Sequence, residues 1–348
     1  YIGHVDWTGF NALVEYTGSD KFSAVLQVGT SSQKYQWEGF YTAAPETLSR
    51  PITVNGGYIK GGANYRANDN SNFFFNVGQI MRPPSFDGVF PNADYDAEEA
   101  DEILNESFTS FELGYGFRSS NFKGTINAYH TVWGDRTLRR STSIDDQGVR
   151  IIYSGVEQTH QGIEAEMTWY PSSRLRVKGM ASLGNWKYSK NFTGDAYFID
   201  NNQSAGKTGT LYLDGVKIGD AAQTVLYLGL DYKLSSRLSV DVDMMSFDDL
   251  HGRFGPLDSE FNSANNRGSI QLPSWGTTDL GATYQFSLLG YETRARLNVN
   301  NLFDEEYLSQ SQTNFHNEGG RAWNGVNVEN QVYFGKGTTW NLGLNINF

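Results

Sequence analysis

Period-two alternation at the end of the chain constrains the fold more than any other sequence feature. In TTWNLGLNINF, every second residue from Trp340 to Phe348 is apolar, and only asparagine and glycine stand between them. Side chains alternate sides along a β-strand, so this segment has one dry face and one wet face. An apolar face opposite asparagines favours a wall strand of a transmembrane barrel, with lipid outside and a polar lumen inside.

The same pattern recurs upstream and predicts about thirteen strands. Phe111, Leu113 and Tyr115, for example, alternate with Glu112 and Gly114. The predicted strands are His4–Tyr16, Phe22–Trp37, Gly57–Arg66, Asn72–Met81, Ser107–Arg118, Phe122–Trp133, a segment ending at His160–Tyr170, Leu175–Leu183, Leu226–Tyr232, Leu238–Met244, Leu280–Phe286, Ala295–Val299 and the last strand. Six short turns alternate with six longer connections, an asymmetry typical of transmembrane barrels.

The longer connections are predicted to be loops. Gly134–Gly148 carries Arg136, Arg139 and Arg140. Four others are long enough to fold over the mouth of a barrel: Pro83–Glu106, Lys190–Ala221, Asp248–Pro273 and Leu302–Gly337. Structureless loops of that length are usually functional or disordered.

Charged residues on the wet faces support the barrel over a soluble sandwich. They include Glu164, Glu166, Asp241, Asp243, Arg294 and Arg296. A sandwich interior would reject these charges unless each was paired, whereas a polar lumen accepts them.

Composition excludes other classes. No run approaches the roughly 18 apolar residues of a membrane helix. A net charge of -12 argues against a nucleic-acid partner. The chain has no cysteine, so neither disulfides nor thiol sites can be argued.

The strand count predicts that the barrel needs more chain than this. Bacterial single-chain barrels have an even number of strands, with both ends on the periplasmic side. Thirteen strands ending there would begin on the opposite side, so we expect an upstream part with an odd number of strands. The alternative is one unrecognised strand within Gly39–Ile59.

Several segments resemble TonB-dependent outer-membrane receptors. NVNNLFDEEYL (Asn298–Leu308) with the closing strand resembles the last two barrel strands of that family, and GQIMRPPSFDGVFPN (Gly78–Asn92) resembles its strand-end segment close to FRAPS. The similarity also includes LNESFTSFELGYGF, INAYHTVWGDR and HQGIEAEMTWYP, and it extends from about Gly57 to Phe348.

The resemblance implies an all-β, antiparallel transmembrane β-barrel of about 22 strands around an amino-terminal plug. Residues 1–348 would then be its carboxy-terminal portion, without the plug, the coupling box and about nine strands. It also implies energy-coupled uptake of a scarce nutrient (siderophore, haem, vitamin or oligosaccharide) across the outer membrane of a Gram-negative cell. The implied partners are membrane lipids, a TonB-type energy-coupling protein acting through the plug, a surface lipoprotein, and the small-molecule or oligomeric ligand.

Three other functions stay open. A complete smaller barrel could act as a passive porin, a barrel enzyme could be a lipase or protease, and a soluble all-β protein could bind ligands. No GxSxG, Walker A or CxxC motif is present, so an enzyme is not expected. Nor is a cofactor.

Candidate ligand-binding residues lie in or beside the long connections. They are Arg82, the adjoining Ser85–Phe86 pair, Tyr95, Tyr197, Phe198, Phe254, Phe261 and Trp323. The aromatic rings could stack on a sugar, a catecholate or another ring, or pack the loops against each other. Arg82 could bind an anionic group or pair with the acidic loop that follows it.

The acidic segment DYDAEEADEILNE has two interpretations. Asp94, Asp96, Glu98, Glu99 and Asp101 could hold a structural Ca²⁺ ion, which prefers several oxygen ligands. The alternative is a solvated loop at the cell surface, since no DxDxDG spacing is present. The scattered histidines show no HxxxH or HExxH arrangement.

Overall fold

The chain forms strands almost throughout. The computed structural model describes residues 1–39, 48–90, 93, 97, 99–100, 102–144, 146–200, 203–255 and 258–347. In chain order its elements are β1 Ile2–Ser19, β2 Phe22–Glu38, β3 Ile52–Asn68, β4 Ser71–Arg82, helix α1 Phe86–Val89, β5 Glu106–Arg118, β6 Phe122–Ile144, β7 Gln147–Trp169, β8 Leu175–Tyr188, β9 Phe192–Phe198, β10 Ser204–Leu211, β11 Thr224–Lys233, β12 Leu238–Asp248, a 3-10 turn Ser259–Asn262, β13 Trp275–Leu288, β14 Tyr291–Asn300, β15 Leu308–Ser311, β16 Ala322–Trp323, β17 Val326–Asn327, β18 Val332–Phe334 and β19 Thr339–Asn347.

Thirteen strands make one continuous antiparallel wall in the order β1–β8, β11–β14 and β19. These are the thirteen strands that the alternation predicts, with bounds that mostly extend a few residues further. Among the described residues, β1 pairs only with β2 and β19 only with β14, so each end of the wall has one open edge. No additional wall strand is found in the described residues between β2 and β3; residues 40–47 lie outside them.

The pairing register confirms the two faces of the wall. Leu113 pairs with Phe75 on one side and Ala128 on the other, and Ala128 pairs in turn with Ile163. The register therefore aligns apolar residues into a belt on the outer face. At the neighbouring position, Glu112 pairs with Asn76 and Tyr129, on the face that we call the lumen face.

Farther along the wall the same separation holds. Val242 pairs with Leu230 and Leu280, and Leu344 pairs with Ala295. On the lumen face Asp241 pairs with Asp231 and Gly281. Leu113 is 60% exposed although it is apolar, as expected for a side chain that faces lipid rather than a protein core.

One prediction is wrong: Gly134–Gly148 is not a loop. β6 and β7 are each 23 residues long and pair as far as Ile144 with Gln147. The register shifts between Trp133 and Leu138, where Asp135 has a φ of 56°. Such a bulge adds an unpaired residue and breaks the period of two, which is why the alternation stops being visible there.

Lys190–Ala221 is also more ordered than predicted. It contains the hairpin of β9 and β10, and β9 pairs with the extended part of β7, for example Ala196 with Ile151. Leu302–Gly337 likewise contains two small sheets, β15 with β18 and β16 with β17. Small residues such as Gly194 and Ala196 weaken the strand signal in the sequence.

The long connections bury the main hydrophobic cores. The largest, called the hairpin core below, consists of Val149, Ile151, Tyr153, Val156, Phe192, Ala196, Leu211, Leu213, Val216 and Phe261. A second core joins β2 to the segment after β4, and a third joins the connections before β13 and after β14. In the described residues, no helix has the length and apolar character needed to cross a membrane.

Candidate functional site at the mouth of the lumen

Five side chains converge on the lumen face where β4, β5 and β6 reach the long-connection end of the wall. The register pairs Arg82 with Glu106 and Phe108 with Trp133, in phase with the lumen residue Glu112. Arg136 follows on β6, past the bulge. These residues, called the mouth cluster, are Arg82, Glu106, Phe108, Trp133 and Arg136.

Rings and guanidinium groups alternate through this cluster. The Arg82 guanidinium carbon lies 5.7 Å from the centre of the Phe108 ring. Phe108 stacks on Trp133 with ring centres 4.9 Å apart and planes at 24°. The Arg136 guanidinium carbon then lies 3.7 Å from the Trp133 ring centre. The face of an aromatic ring attracts a cation.

A single carboxylate organises the other half of the cluster. Glu106 Oε2 accepts a hydrogen bond from the Arg82 guanidinium and another, of 3.3 Å, from Trp133 Nε1. Arg82 thus pairs with the end of the acidic segment, as one of the two sequence interpretations expects. Its side chain is still 58% exposed, so the pairing does not remove it from the mouth.

Arg136 has no such partner. Among the described residues, no carboxylate oxygen lies within ion-pairing distance of its guanidinium. Burial lowers the pKa of Arg136, although the nearby Tyr188 and Glu106 act in the opposite direction. A half-buried charge without a close ion pair is costly, and an anion at this position would offset that cost.

Further polar aromatics continue the lumen face toward β8. Trp186 Nε1 donates a 2.8 Å hydrogen bond to the Tyr129 hydroxyl, and the His160 ring lies 5.7 Å from Trp186. His160 Nε2 is buried without a hydrogen-bond partner among the described residues. A ligand or water that reaches this point would find both an acceptor or donor nitrogen and ring surface.

A second aromatic stack lines the mouth near β12 and β13. Trp275 lies 4.1 Å from Phe247 and 3.8 Å from Tyr307, measured between ring centres. Gly335 makes room for it, because a Cβ there would come within 1.9 Å of the Tyr307 ring. Tyr307 belongs to the NNLFDEEYL segment, so that motif contributes to this stack.

Deeper in the lumen, charges are paired across strands. Arg176 donates two hydrogen bonds to Asp231, at 2.9 and 3.0 Å, and Arg296 donates two to Asp241, at 2.8 and 2.9 Å. Lys178 bridges Asp231 at 3.4 Å. Paired charges therefore line part of the lower lumen.

The segment after β4 folds onto the lumen face instead of standing away from the wall. The Tyr35 hydroxyl donates to the Pro84 carbonyl at 2.8 Å, and Trp37 Nε1 donates to the Ala93 carbonyl at 2.6 Å. Val89 and Phe90 are fully buried against these rings. This part of Pro83–Glu106 is thus an inner lining of the mouth.

Most predicted ligand-binding aromatics are packed. Phe261 is 1% exposed and lies 4.2 Å from Phe254 in ring centres. Phe198 packs on the same hairpin core, beside Tyr197 on β9. Phe86, next to Ser85, stacks on Tyr1, and Trp323 contacts Phe334 edge-on at 5.2 Å. These placements support loop packing, the alternative to ligand stacking; Tyr95 lies outside the described residues.

Most of the proposed cation ligands lie outside the described residues. Asp94, Asp96, Glu98 and Asp101 are among the residues that the structure does not describe, and Glu99 pairs with Arg50. Within the described ranges, no group of three or more histidine, aspartate or glutamate side chains could hold a metal ion.

Ion pairs from one arginine link two of the long connections. Arg267 pairs with Glu260 at 2.7 Å and also with Glu318. The hydrogen bonds from Arg267 hold the pKa of Glu260 at about 2. The pair therefore stays ionised at neutral pH. Its contribution to stability would be lost progressively as the pH falls from the ordinary carboxyl value of 4.5 through about 2.

Sequence reasoning found Arg82 but missed Phe108, Trp133, Arg136 and Trp186. The aromatic residues among them share one sequence signal, an aromatic side chain at a position where the alternation places polar residues. Phe108 shares the phase of Glu112, and Trp133 that of Thr131. Large rings are unexpected on the polar face of a strand, and here they form the stack at the mouth.

Comparison with known proteins identifies relatives of the same architecture. A sequence model of the family described as TonB dependent receptor-like, beta-barrel, matches residues 9–302. No curated protein sequence matches the chain.

Solved structures similar to this chain include the siderophore receptor PiuA from Acinetobacter baumannii, with 14% identity and a TM-score of 0.69 over 99% of this chain and 43% of that one. The ferric citrate transporter FecA is 10% identical, with a TM-score of 0.67 over 98% of this chain and 45% of FecA. The copper transporter OprC is 11% identical, with a TM-score of 0.66 over 99% and 48%. The chain thus spans less than half the length of these structures, and the likeness concerns the fold.

Proposed function

Because the chain belongs to the TonB-dependent receptor-like β-barrel family, we propose that it is part of the wall of an outer-membrane receptor for energy-coupled uptake of a scarce nutrient. The observation that carries this proposal is the family match over a two-faced wall whose lumen mouth bears the mouth cluster. The nutrient would be a siderophore, haem, a vitamin or an oligosaccharide, taken up without covalent change.

Orientation follows from the asymmetry of the connections. Outer-membrane barrels have short periplasmic turns and longer extracellular loops. The mouth cluster and the hairpin core would then face the outside, and the ligand would enter past them. The long connections would hold the ligand while the lower lumen, lined by paired charges, receives a plug domain that a coupling protein moves.

The open edges of β1 and β19 support a larger barrel. In lipid, each unsatisfied backbone polar group costs several kcal/mol, so only closed barrels are stable. Additional strands would pair with both edges, and the longer similar structures are consistent with this. The wall described here would then be a portion of one closed barrel.

A passive channel is the second candidate, since a polar lumen also suits water-filled diffusion. Energy dependence separates the two. The receptor that contains this chain would be produced in Gram-negative cells that lack their own uptake receptors. The accumulation of radiolabelled ferric complexes, haem, cobalamin and a set of oligosaccharides would be measured with and without a protonophore.

We expect saturable uptake of one of these ligands at submicromolar concentration, which the protonophore or loss of the coupling protein abolishes. Cells that carry the empty vector are the control. Linear, energy-independent uptake would instead show a passive channel, and no uptake of any compound would contradict the proposal.

A further inference from the structure

Arg136 forms no ion pair with a carboxylate of the described residues. Its guanidinium carbon lies 3.7 Å from the centre of the Trp133 ring, on the lumen side of β6. A guanidinium carries its N–H donors in one planar fork. Those donors are suited to the two oxygens of a carboxylate, catecholate or phosphate.

Three described carboxylates near Arg136 already have other partners. Glu106 accepts hydrogen bonds from Arg82 and Trp133. Asp135 accepts one from the Ser107 hydroxyl at 2.7 Å, and Glu157 pairs with Lys190 at 3.7 Å. None of these carboxylates forms an ion pair with Arg136 in the described part of the chain. Arg136 therefore contacts a ring, while the carboxylates around it, including the nearby Glu106, make their close polar contacts with other groups.

We infer that Arg136, with Arg82 beside it, binds an oxyanion group of the transported ligand at the mouth of the lumen. The inference rests on the proposed function and narrows its substrate class to compounds that present a carboxylate, catecholate or phosphate. Trp133 and Phe108 are positioning residues, because their ring centres lie 3.7 Å and 5.7 Å from the Arg136 and Arg82 guanidinium carbons. A neutral ligand would leave Arg136 as costly as it is in the empty receptor.

The oxyanion could also come from a carboxylate of the plug domain. The proposal commits to the ligand, because the mouth cluster lies at the long-connection end, where a ligand would arrive first. The experiment separates the two sources by measuring ligand binding and the protease sensitivity of the receptor in the same variants.

Purified full-length receptor would be titrated with three iron complexes: ferric citrate and a ferric tricatecholate, which are anionic, and a neutral ferric trihydroxamate. Tryptophan fluorescence quenching reports binding. The variants are Arg136→Gln, Arg136→Lys and, as a matched control, Arg294→Gln. Arg294 is an exposed arginine on the lumen face near the short turn between β13 and β14, far along the wall from the mouth.

We expect wild-type receptor to bind at least one anionic complex more tightly than the neutral one. Arg136→Gln should weaken that binding about 10- to 100-fold, the usual range for losing a hydrogen bond to a charged group. Arg136→Lys should lose less, because it keeps the charge but not the planar fork. Arg294→Gln should stay within about twofold.

Equal binding of the anionic complexes by wild type and Arg136→Gln would overturn the inference, as would preference of the wild type for the neutral complex. If binding is unchanged but Arg136→Gln makes the region amino-terminal to this wall protease-sensitive, the oxyanion belongs to the plug. Energised uptake of a neutral complex that Arg136→Gln does not change would overturn this inference but support the proposed function. Arg136-dependent binding of an anionic complex without energised uptake would support this inference but contradict the proposed function.

Discussion

Replacing Phe261 by alanine is expected to destabilise the hairpin core by about 3–5 kcal/mol, the usual cost of removing a buried phenylalanine ring. Phe261 is 1% exposed and contacts a cluster contributed by β7, β9, β10 and the 3-10 turn. A cavity of about 40 Å³ already lies beside it, lined by Leu138, Tyr188 and Leu211 among others, so the loss of the ring would enlarge an existing void.

The effect should stay local. The wall strands are held by their own ladder of backbone hydrogen bonds, whereas β9 and β10 depend on the hairpin core for packing. We therefore expect Phe261→Ala to expose the β9–β10 hairpin to limited proteolysis and hydrogen exchange, with the heat-modifiable migration of the folded receptor unchanged.

Phe315→Ala is the matched control, because Phe315 is a phenylalanine of the neighbouring connection that is 51% exposed. It should change stability by no more than about 0.5 kcal/mol. If both variants behave alike, the hairpin core is not a packed unit. The point substitution changes one packing contact. Deletion of Lys190–Ala221 would also remove the pairing of β9 with β7 and expose Ile151, so its effects could not be separated.

Arginine in place of Leu113 is expected to cost about 2–4 kcal/mol, because Leu113 faces lipid near the middle of β5. Its neighbours across the sheet, Phe75 and Ala128, are apolar and offer no counter-ion. The free energy of unfolding of the full-length receptor into urea, measured in lipid vesicles, reports the change.

Glu112→Arg is the matched control, one residue away on the lumen face. It loses the 2.9 Å hydrogen bond that Asn76 donates to Glu112, worth about 1 kcal/mol, but it places the new charge in a polar lumen. Ile163→Arg and Glu164→Arg repeat the comparison on β7. Equal destabilisation on both faces would contradict the assignment of an outer and a lumen face.

The wall could be predicted from the sequence because its physical requirement is local and repetitive. A strand with lipid on one side and water on the other must alternate at every residue, as Leu342, Leu344 and Ile346 do against Asn341 and Asn345. The register then follows, since a slip of one residue would put each asparagine into lipid.

The tall hairpin of β6 and β7 could not be predicted by the same logic. Beyond Trp133 the extended part of β7 pairs with β9 and packs against the long connections. Val149, Ile151 and Tyr153 are buried by β9 and by the 3-10 turn, which are distant in sequence. The alternation of apolar and polar residues therefore no longer marks a lipid-facing side there, and the bulge at Asp135 shifts the phase of the alternation.

The mouth cluster depends on contacts between strands, so a single strand does not reveal it. Arg82, Phe108 and Trp133 come from three strands, and only the register places them side by side. The aromatic candidates predicted from the sequence lie in the long connections. Two of them are packed, since Phe261 belongs to the hairpin core and Phe254 packs against it.

The two-faced transmembrane wall is tested most directly by spin labels placed one at a time along β5 of the full-length receptor in lipid bilayers. The chain has no cysteine, so each non-glycine position from 107 to 117 can be converted to a single cysteine without competing thiols from this chain. Collision with oxygen, which concentrates in lipid, should peak at positions 111, 113 and 115. Collision with a water-soluble nickel chelate should peak at 110 and 112. Accessibility without a period of two, or high nickel accessibility on both faces, would contradict the account.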